Sequence, residues 1–203
     1  MAYNGRGSAK DDLKDYEGAI ADYDKAIELD PKYAYAYDNR GSAKYLLNDC
    51  AGAIEDYNKA IELDPKNVGA YNNRGNAKYD LNDYAGAMAD FDHVIELDPQ
   101  YPNAYICRAS ARYDLNDYEG AIADYDKAIE LDPQDADTYD NRGVAKKNLG
   151  DYAGAMADYN KAIELFPQYT RVYDNLIELY EELNQPEKAE EIRRLKQKNC
   201  PDK

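Results

Sequence analysis

Apolar residues recur along this chain at two nested periods. The long one is 34 residues, marked by prolines at 31, 65, 99, 133 and 167. A fixed period of that size is the signature of stacked supersecondary units, each too small to bury its own apolar face. Aligned on the prolines, the chain reads as repeats 1–33, 34–67, 68–101, 102–135 and 136–169, followed by a divergent stretch, 170–203. The short period is helical. In the second repeat Ala53, Ile54, Tyr57, Ala60 and Ile61 form one apolar stripe on a second helix, while Tyr37, Gly41, Tyr45 and Leu47 mark a first. Asn48-Asp49 lies between them, with Asp49 suited to cap the second helix. Asp64-Pro65 closes it, because proline biases the preceding residue away from helical geometry. The expectation is an all-α chain of helix–turn–helix repeats forming one domain over 1–203.

With the proline numbered 32 in its repeat, position 4 is Tyr3, Tyr37, Tyr71, Tyr105, Tyr139 and Tyr173. Position 20 is Ala19, Ala53, Ala87, Ala121, Ala155 and Ala189. Position 24 is Tyr23, Tyr57, Phe91, Tyr125 and Tyr159, then Arg193. These residues resemble the tetratricopeptide repeat family, whose pattern is W-x2-L-G-x2-Y, then A-x3-F, then P. Repeat two reads Tyr37-x2-Arg40-Gly41-x2-Lys44, then Ala53-x3-Tyr57, then Pro65. The likeness spans essentially the whole chain and implies a right-handed superhelical solenoid of about five repeats, closed by a divergent C-terminal helix pair.

Three departures from the family pattern stand out: tyrosine for tryptophan, arginine for leucine and lysine for the second aromatic. The arginines (Arg6, Arg40, Arg74, Arg108, Arg142) fall at position 7, and position 23 is Asp22, Asp56, Asp90, Asp124 and Asp158. A helix pair turning near position 15 sets these opposite each other, and in the last stretch both change together, to Leu176 and Ile192. A partly buried Arg–Asp pair in each of the first five repeats is therefore expected. The alternative is a solvated arginine lying along tyrosine faces. Gly7, Gly41, Gly75, Ala109 and Gly143 are small where the two helices meet. A second series (Gly18, Gly52, Gly86, Gly120, Gly154) sits in the first turn of the second helix, where glycine is unfavourable, and close approach between repeats is the reason to expect. The last stretch keeps Tyr173, Leu176, Tyr180, Leu183 and Ala189, then turns polar through Glu187–Lys196, as a terminal unit without a neighbour requires. The N-terminal end has no comparable device, which leaves self-association there as an alternative role.

Acidic residues number 41 against 25 basic ones, a formal charge of −16. Nucleic acid and anionic membranes bind through lysine and arginine, so neither is expected as a partner. The 22 tyrosines set the chain apart from acidic disordered sequences, which are poor in aromatics. Cys50, Cys107 and Cys200 make no disulfide framework, and no basic segment precedes an apolar one at the start, so a reducing, cytoplasmic setting is expected. Catalysis finds little support. The single histidine, His93, takes a position filled by Lys25, Lys59, Lys127 and Lys161 elsewhere, and no nucleophile is placed beside it. No zinc or calcium pattern is present, so no cofactor or metal is expected.

The family resemblance implies that first helices line a concave face and that ligands touch positions 2, 5, 6, 9, 12 and 13. Position 6 carries Asn39, Asn73, Cys107, Asn141 and Asn175, similar to the asparagine ladders with which some members hold an extended peptide. An asparagine offers donors and an acceptor that match any peptide unit. The alternative is that these amides bond neighbouring helices. Asp38, Asn72, Asn76, Asp80 and Asp114 sit around the ladder, with Asp140 and Asp174. Tyr45, Tyr79 and Tyr113 either wall the groove or pack between first helices. The basic clamp with which co-chaperone members hold a C-terminal carboxylate is replaced here by Asp38, Ser42, Asn72, Asn73 and Asn76, leaving Arg171 in the last stretch as the basic residue at position 2. The expected function is a non-catalytic protein-interaction scaffold binding an extended, basic or neutral polypeptide segment. The alternatives are a self-associating structural module and an accessory domain of a larger machine.

Overall fold

The computed structural model describes residues 2–201. Met1, Asp202 and Lys203, the outermost residues of the first and last expected repeats, lie outside the described residues. Twelve helices and no strand are found among the described residues. They alternate as first and second helices of each repeat: α1 (Ala2–Asp12) with α2 (Tyr16–Leu29), α3 (Ala34–Leu46) with α4 (Cys50–Leu63), and α5 (Val68–Asp80) with α6 (Tyr84–Leu97). The series continues with α7 (Pro102–Asp114), α8 (Tyr118–Leu131), α9 (Ala136–Asn148), α10 (Tyr152–Leu165), α11 (Thr170–Glu182) and α12 (Pro186–Asn199).

The local chemistry repeats faithfully. Each turn between paired helices places one residue in the left-handed region: Lys14, Asn48, Asn82, Asn116, Gly150 and Asn184, at φ between 54° and 81°. Asparagine tolerates that conformation because its short side chain can bond locally. Asp15, Asp49, Asp83, Asp117 and Asp151 then cap the second helices, accepting from the amide N–H of Gly18, Gly52, Gly86, Gly120 and Gly154 at 2.9–3.1 Å. These caps account for the second glycine series. A Cβ at those positions would lie 2.1–2.2 Å from the capping carboxylate, so the obstacle is the cap itself and not close approach between repeats. Leu47, expected inside the first helix, falls one residue past the end of α3 and is partly exposed.

The chain divides into two compact units, one ending at Cys107 and the next beginning at Arg108. In the first, successive helices pack on each other from α1 to α6, and the first helices also meet directly, α1 with α3 and α3 with α5. In the second, α8 to α12 pack in sequence and α9 meets α11. First helices therefore form an inner layer in each unit. The core is made of small residues closed by one aromatic per repeat. A Cβ on Gly7, Gly41, Gly75 or Gly143 would come within 2.6–2.8 Å of the ring of Tyr23, Tyr57, Phe91 or Tyr159. The last repeat replaces this with Val172, Tyr173, Leu176 and Leu179, all fully buried, against which Ile192 and Cys200 pack. No helix among the described residues is long and apolar enough to cross a membrane.

Candidate functional site

Each of the first five repeats holds a cluster of one buried carboxylate and two cations. Asp22, Asp56, Asp90, Asp124 and Asp158 are only 3–4% exposed. Arg6, Arg40, Arg74, Arg108 and Arg142 donate to them through Nε at 2.8–2.9 Å, and Nη2 closes a bidentate pair. A second cation approaches the same carboxylate at 2.7–2.9 Å: Lys10, Lys44, Lys78, Arg112 or Lys146. In the family pattern these cations stand only as departures from the second aromatic. The signal was nonetheless present, because Lys or Arg at position 11 accompanies Asp at 23 and becomes Tyr180 where the aspartate becomes Ile192.

The arginines also lie over tyrosine, with Cζ 5.2–5.5 Å from the rings of Tyr3, Tyr37, Tyr71 and Tyr139. Ion pairing and stacking thus belong to one side chain, and the solvated reading applies only to Arg6, which is 61% exposed against 15–18% for Arg40, Arg74, Arg108 and Arg142. Nη1 reaches back to the preceding second helix, from Arg40 to Asp24, Arg74 to Asn58 and Arg142 to Asp126, at 2.5–2.6 Å. Two first-helix residues and one second-helix residue so tie a repeat both internally and to its neighbour.

The inner face of the first unit carries the asparagine ladder turned along the stack. Asn39 donates to Asn4 at 3.2 Å, and Asn73 donates to Asp38 at 3.4 Å. Asp38 also accepts from Asn67 at 3.3 Å, while Asn72, buried, accepts from Asn103 at 3.4 Å. Burial raises the Asp38 carboxyl above its ordinary range, and the two amide donors only partly oppose this. Tyr45 donates to Asp80 at 2.5 Å, so position 12 bonds position 13 of the next repeat. Tyr79 packs on Tyr84 with ring centroids 5.3 Å apart, and Asn76 is half-buried nearby in α5. Cys107 interrupts the ladder with a thiol that burial pushes up to about 11, which keeps it protonated and unreactive at neutral pH. His93 lies against Tyr71, the two rings tilted by 43° with centroids 4.1 Å apart.

In the second unit the same face opens into two adjoining clefts. One, of about 240 Å³, is lined by Tyr113, Tyr125, Asp140, Asn141, Val144, Arg171 and Asn175. The other, of about 480 Å³, shares Tyr113, Val144 and Asn175 and extends to Tyr159, Glu178 and Glu182. Asn175 donates to Asp140 at 2.8 Å, Arg171 donates to Asp140 at 2.7 Å, and Arg171 reaches Asn141 Oδ1 at 3.4 Å. Asp140 is fully buried, and burial raises its carboxyl despite the donors. Tyr113 accepts from Asn148 at 3.0 Å and packs on Tyr118, whereas Asp114 is exposed. The structure thus gathers Tyr113, Asn141 and Asn175 around one opening and Asp38, Asn39, Asn72 and Asn73 on the other unit's face. No cluster of histidine, cysteine and carboxylate fit to hold a metal occurs among the described residues.

A family model described as TPR repeat matches residues 41–82, 75–115 and 109–150, and two models described as tetratricopeptide repeat match 1–33 and 149–193. The chain belongs to the tetratricopeptide repeat family. No curated protein matches it in sequence. Among solved structures it is similar to MamA, with 26% identity, a TM-score of 0.73, and 78% of this chain and 93% of that one covered. PilF of Pseudomonas aeruginosa shares the fold at 20% identity and a TM-score of 0.82, over 100% of this chain and 92% of that one. YrrB, described as a TPR protein with an unusual peptide-binding site, shares it at 23% identity and 0.71, over 89% and 93%. Tetratricopeptide repeat proteins are generally non-catalytic, and this chain is a protein-interaction scaffold of that family, built from consecutively packed helix–turn–helix repeats.

Proposed function

We propose that the inner faces of the first helices hold an extended, basic or neutral polypeptide segment. The observation that carries this reading is the pair of clefts in the second unit, where tyrosine, asparagine and carboxylate side chains converge around an opening on that face. Tyrosines offer rigid contact area with a polar tip, and lysine or arginine of a ligand stacks on such rings. Asn39, Asn73 and Asn175 spend one N–H on the preceding repeat, and their Oδ1 and second N–H suit a peptide backbone. That partial commitment favours a preset amide geometry, which lowers the entropy cost of binding. The overall acidity, with 41 acidic against 25 basic residues, favours a basic partner and speeds its approach at low salt.

The test is binding to a randomised peptide array by the parent and by an Asn39→Ala, Asn73→Ala, Asn141→Ala variant whose unfolding midpoint and helicity have been matched to it. Retention of basic extended peptides by the parent, with loss in the variant and at high salt, supports the reading. Equal binding by both proteins, or none, overturns it.

A further inference from the structure

Repeat five departs from the 34-residue pattern at two positions of its first helix, and both line the larger cleft. Position 9 is Ser8, Ser42, Asn76 and Ser110 in the first four repeats but Val144 in the fifth. Position 12 is Tyr45, Tyr79 and Tyr113 in repeats two to four but Lys147 in the fifth. In repeats two and four the serine serves the core aromatic of its own repeat: Tyr57 donates to Ser42 at 3.3 Å, and Ser110 and Tyr125 share a bond of the same length, while in repeat one Tyr23 donates to Asp11 instead. Valine cannot do this, and Tyr159, fully buried, has a hydroxyl with no hydrogen-bond partner among the described residues. A buried polar group left unpaired is costly to the fold and asks for a ligand or another explanation.

Lys147, which stands where repeats two to four carry the tyrosine ring, lines the same cleft of about 480 Å³ as Tyr159. Lys147 Nζ there lies 3.1 Å from Glu178 and 2.8 Å from Glu182, so these carboxylates already hold one ammonium. Two carboxylates against one ammonium leave a net negative charge beside an unpartnered hydroxyl. An anionic ligand group is repelled, and an apolar one leaves the hydroxyl unpaired. We propose that the cleft receives the ammonium of a lysine side chain from the bound segment, its methylenes against Val144 and Tyr152 and its head shared between Tyr159 Oη and the Glu178–Glu182 pair. A compact head with three rotatable donors suits one hydroxyl and two carboxylates that do not share a plane, where guanidinium favours a planar fork. This rests on the groove reading above and adds a side-chain preference at one point along it.

The test uses Nα-acetyl-lysine methylamide, with the norleucine and glutamate analogues as controls. Each is titrated into protein carrying 13C-labelled tyrosine rings, with the Tyr159 signal assigned through Tyr159→Phe. The lysine amide should produce saturable shifts at Tyr159 and Tyr152 that the norleucine and glutamate amides do not. Val144→Ser gives Tyr159 an internal partner like that of Tyr57 and should weaken the binding about threefold or more, with far-UV circular dichroism unchanged. Glu178→Gln should weaken it by a similar factor. Equal shifts with norleucine, no saturable shift at Tyr159, or binding unaltered by both substitutions would overturn the proposal. If array peptides bind through the groove while the lysine amide leaves Tyr159 unmoved, the ammonium site falls and the groove reading stands. If the lysine amide binds while the array shows nothing groove-dependent, the ammonium site stands and the groove reading falls.

Discussion

Replacing Asp90 with asparagine removes one charge from a site where three donors converge. Arg74 Nε and Nη2 stand at 2.9 and 2.5 Å from its carboxylate and Lys78 Nζ at 2.8 Å, with Asp90 itself 3% exposed. The asparagine keeps one acceptor oxygen but turns an N–H toward cations, and both cations remain mostly buried, at 16% and 21% exposure. Stripping one partner from a buried ionic cluster costs about 3–5 kcal/mol. For a chain of this length that corresponds to a fall of roughly 6–20 °C in melting temperature. Urea and thermal unfolding followed by circular dichroism at 222 nm measure it. The last repeat supplies the control, because its equivalents are Leu176, Tyr180 and Ile192. The triple change Arg74→Leu, Lys78→Tyr, Asp90→Ile should therefore recover the parent stability or exceed it by about 1–4 kcal/mol. A cost below about 1 kcal/mol for Asp90→Asn, or a strong gain from Arg74→Leu alone, would show the cluster to be surface charge, since exposed pairs contribute in that lower range.

Gly86→Ala should destabilise by about 1 kcal/mol through loss of the Asp83 cap, although alanine is the better helix former; Gly5→Ala, with open space around its Cβ, should stabilise by about 0.5–1 kcal/mol, and both are read from urea midpoints. Burial raises the folded-state Asp38 carboxyl, so its contribution is fully present below the ordinary carboxylate range and is lost as pH rises through the folded value. Asp38→Asn should accordingly equal or exceed the parent in melting temperature at pH 7, with its advantage shrinking toward pH 4; a growing advantage at low pH would contradict this. Asp22 behaves oppositely, because Arg6 and Lys10 hold its carboxyl below the ordinary range. Its contribution is present above that range and lost as pH falls, so Asp22→Asn should close the gap to the parent on acidification, as pH-dependent melting curves would record.

Much of the fold was legible in the residues because its determinants are local and repeated. Helical spacing, the Asn-Asp turn, the capping aspartate and the Asp-Pro stop each act within a few residues, and five copies separate signal from accident. That the glycines at position 8 lie where the paired helices meet was legible for the same reason, while the structure decides that they meet the aromatic ring. Other decisions depend on helices some 30 residues apart, whose rotation no local pattern specifies. Lys44 and Lys78 share the carboxylates of Asp56 and Asp90 across the turn, which the joint change of positions 11 and 23 signals and the atomic placement decides. The second glycine series follows from the clearance around the capping carboxylate three residues earlier. The asparagines present the same ambiguity: an amide at position 6 suits a ligand backbone or a neighbouring helix equally well. The structure commits one N–H of Asn39, Asn73 and Asn175 to the preceding repeat. Val144 and Lys147 read as minor drift in a row of letters. Their consequence emerges only when α9, α10 and α11 enclose a common space, because a hydroxyl becomes unpaired through the absence of a neighbour, and neighbours are set by the fold.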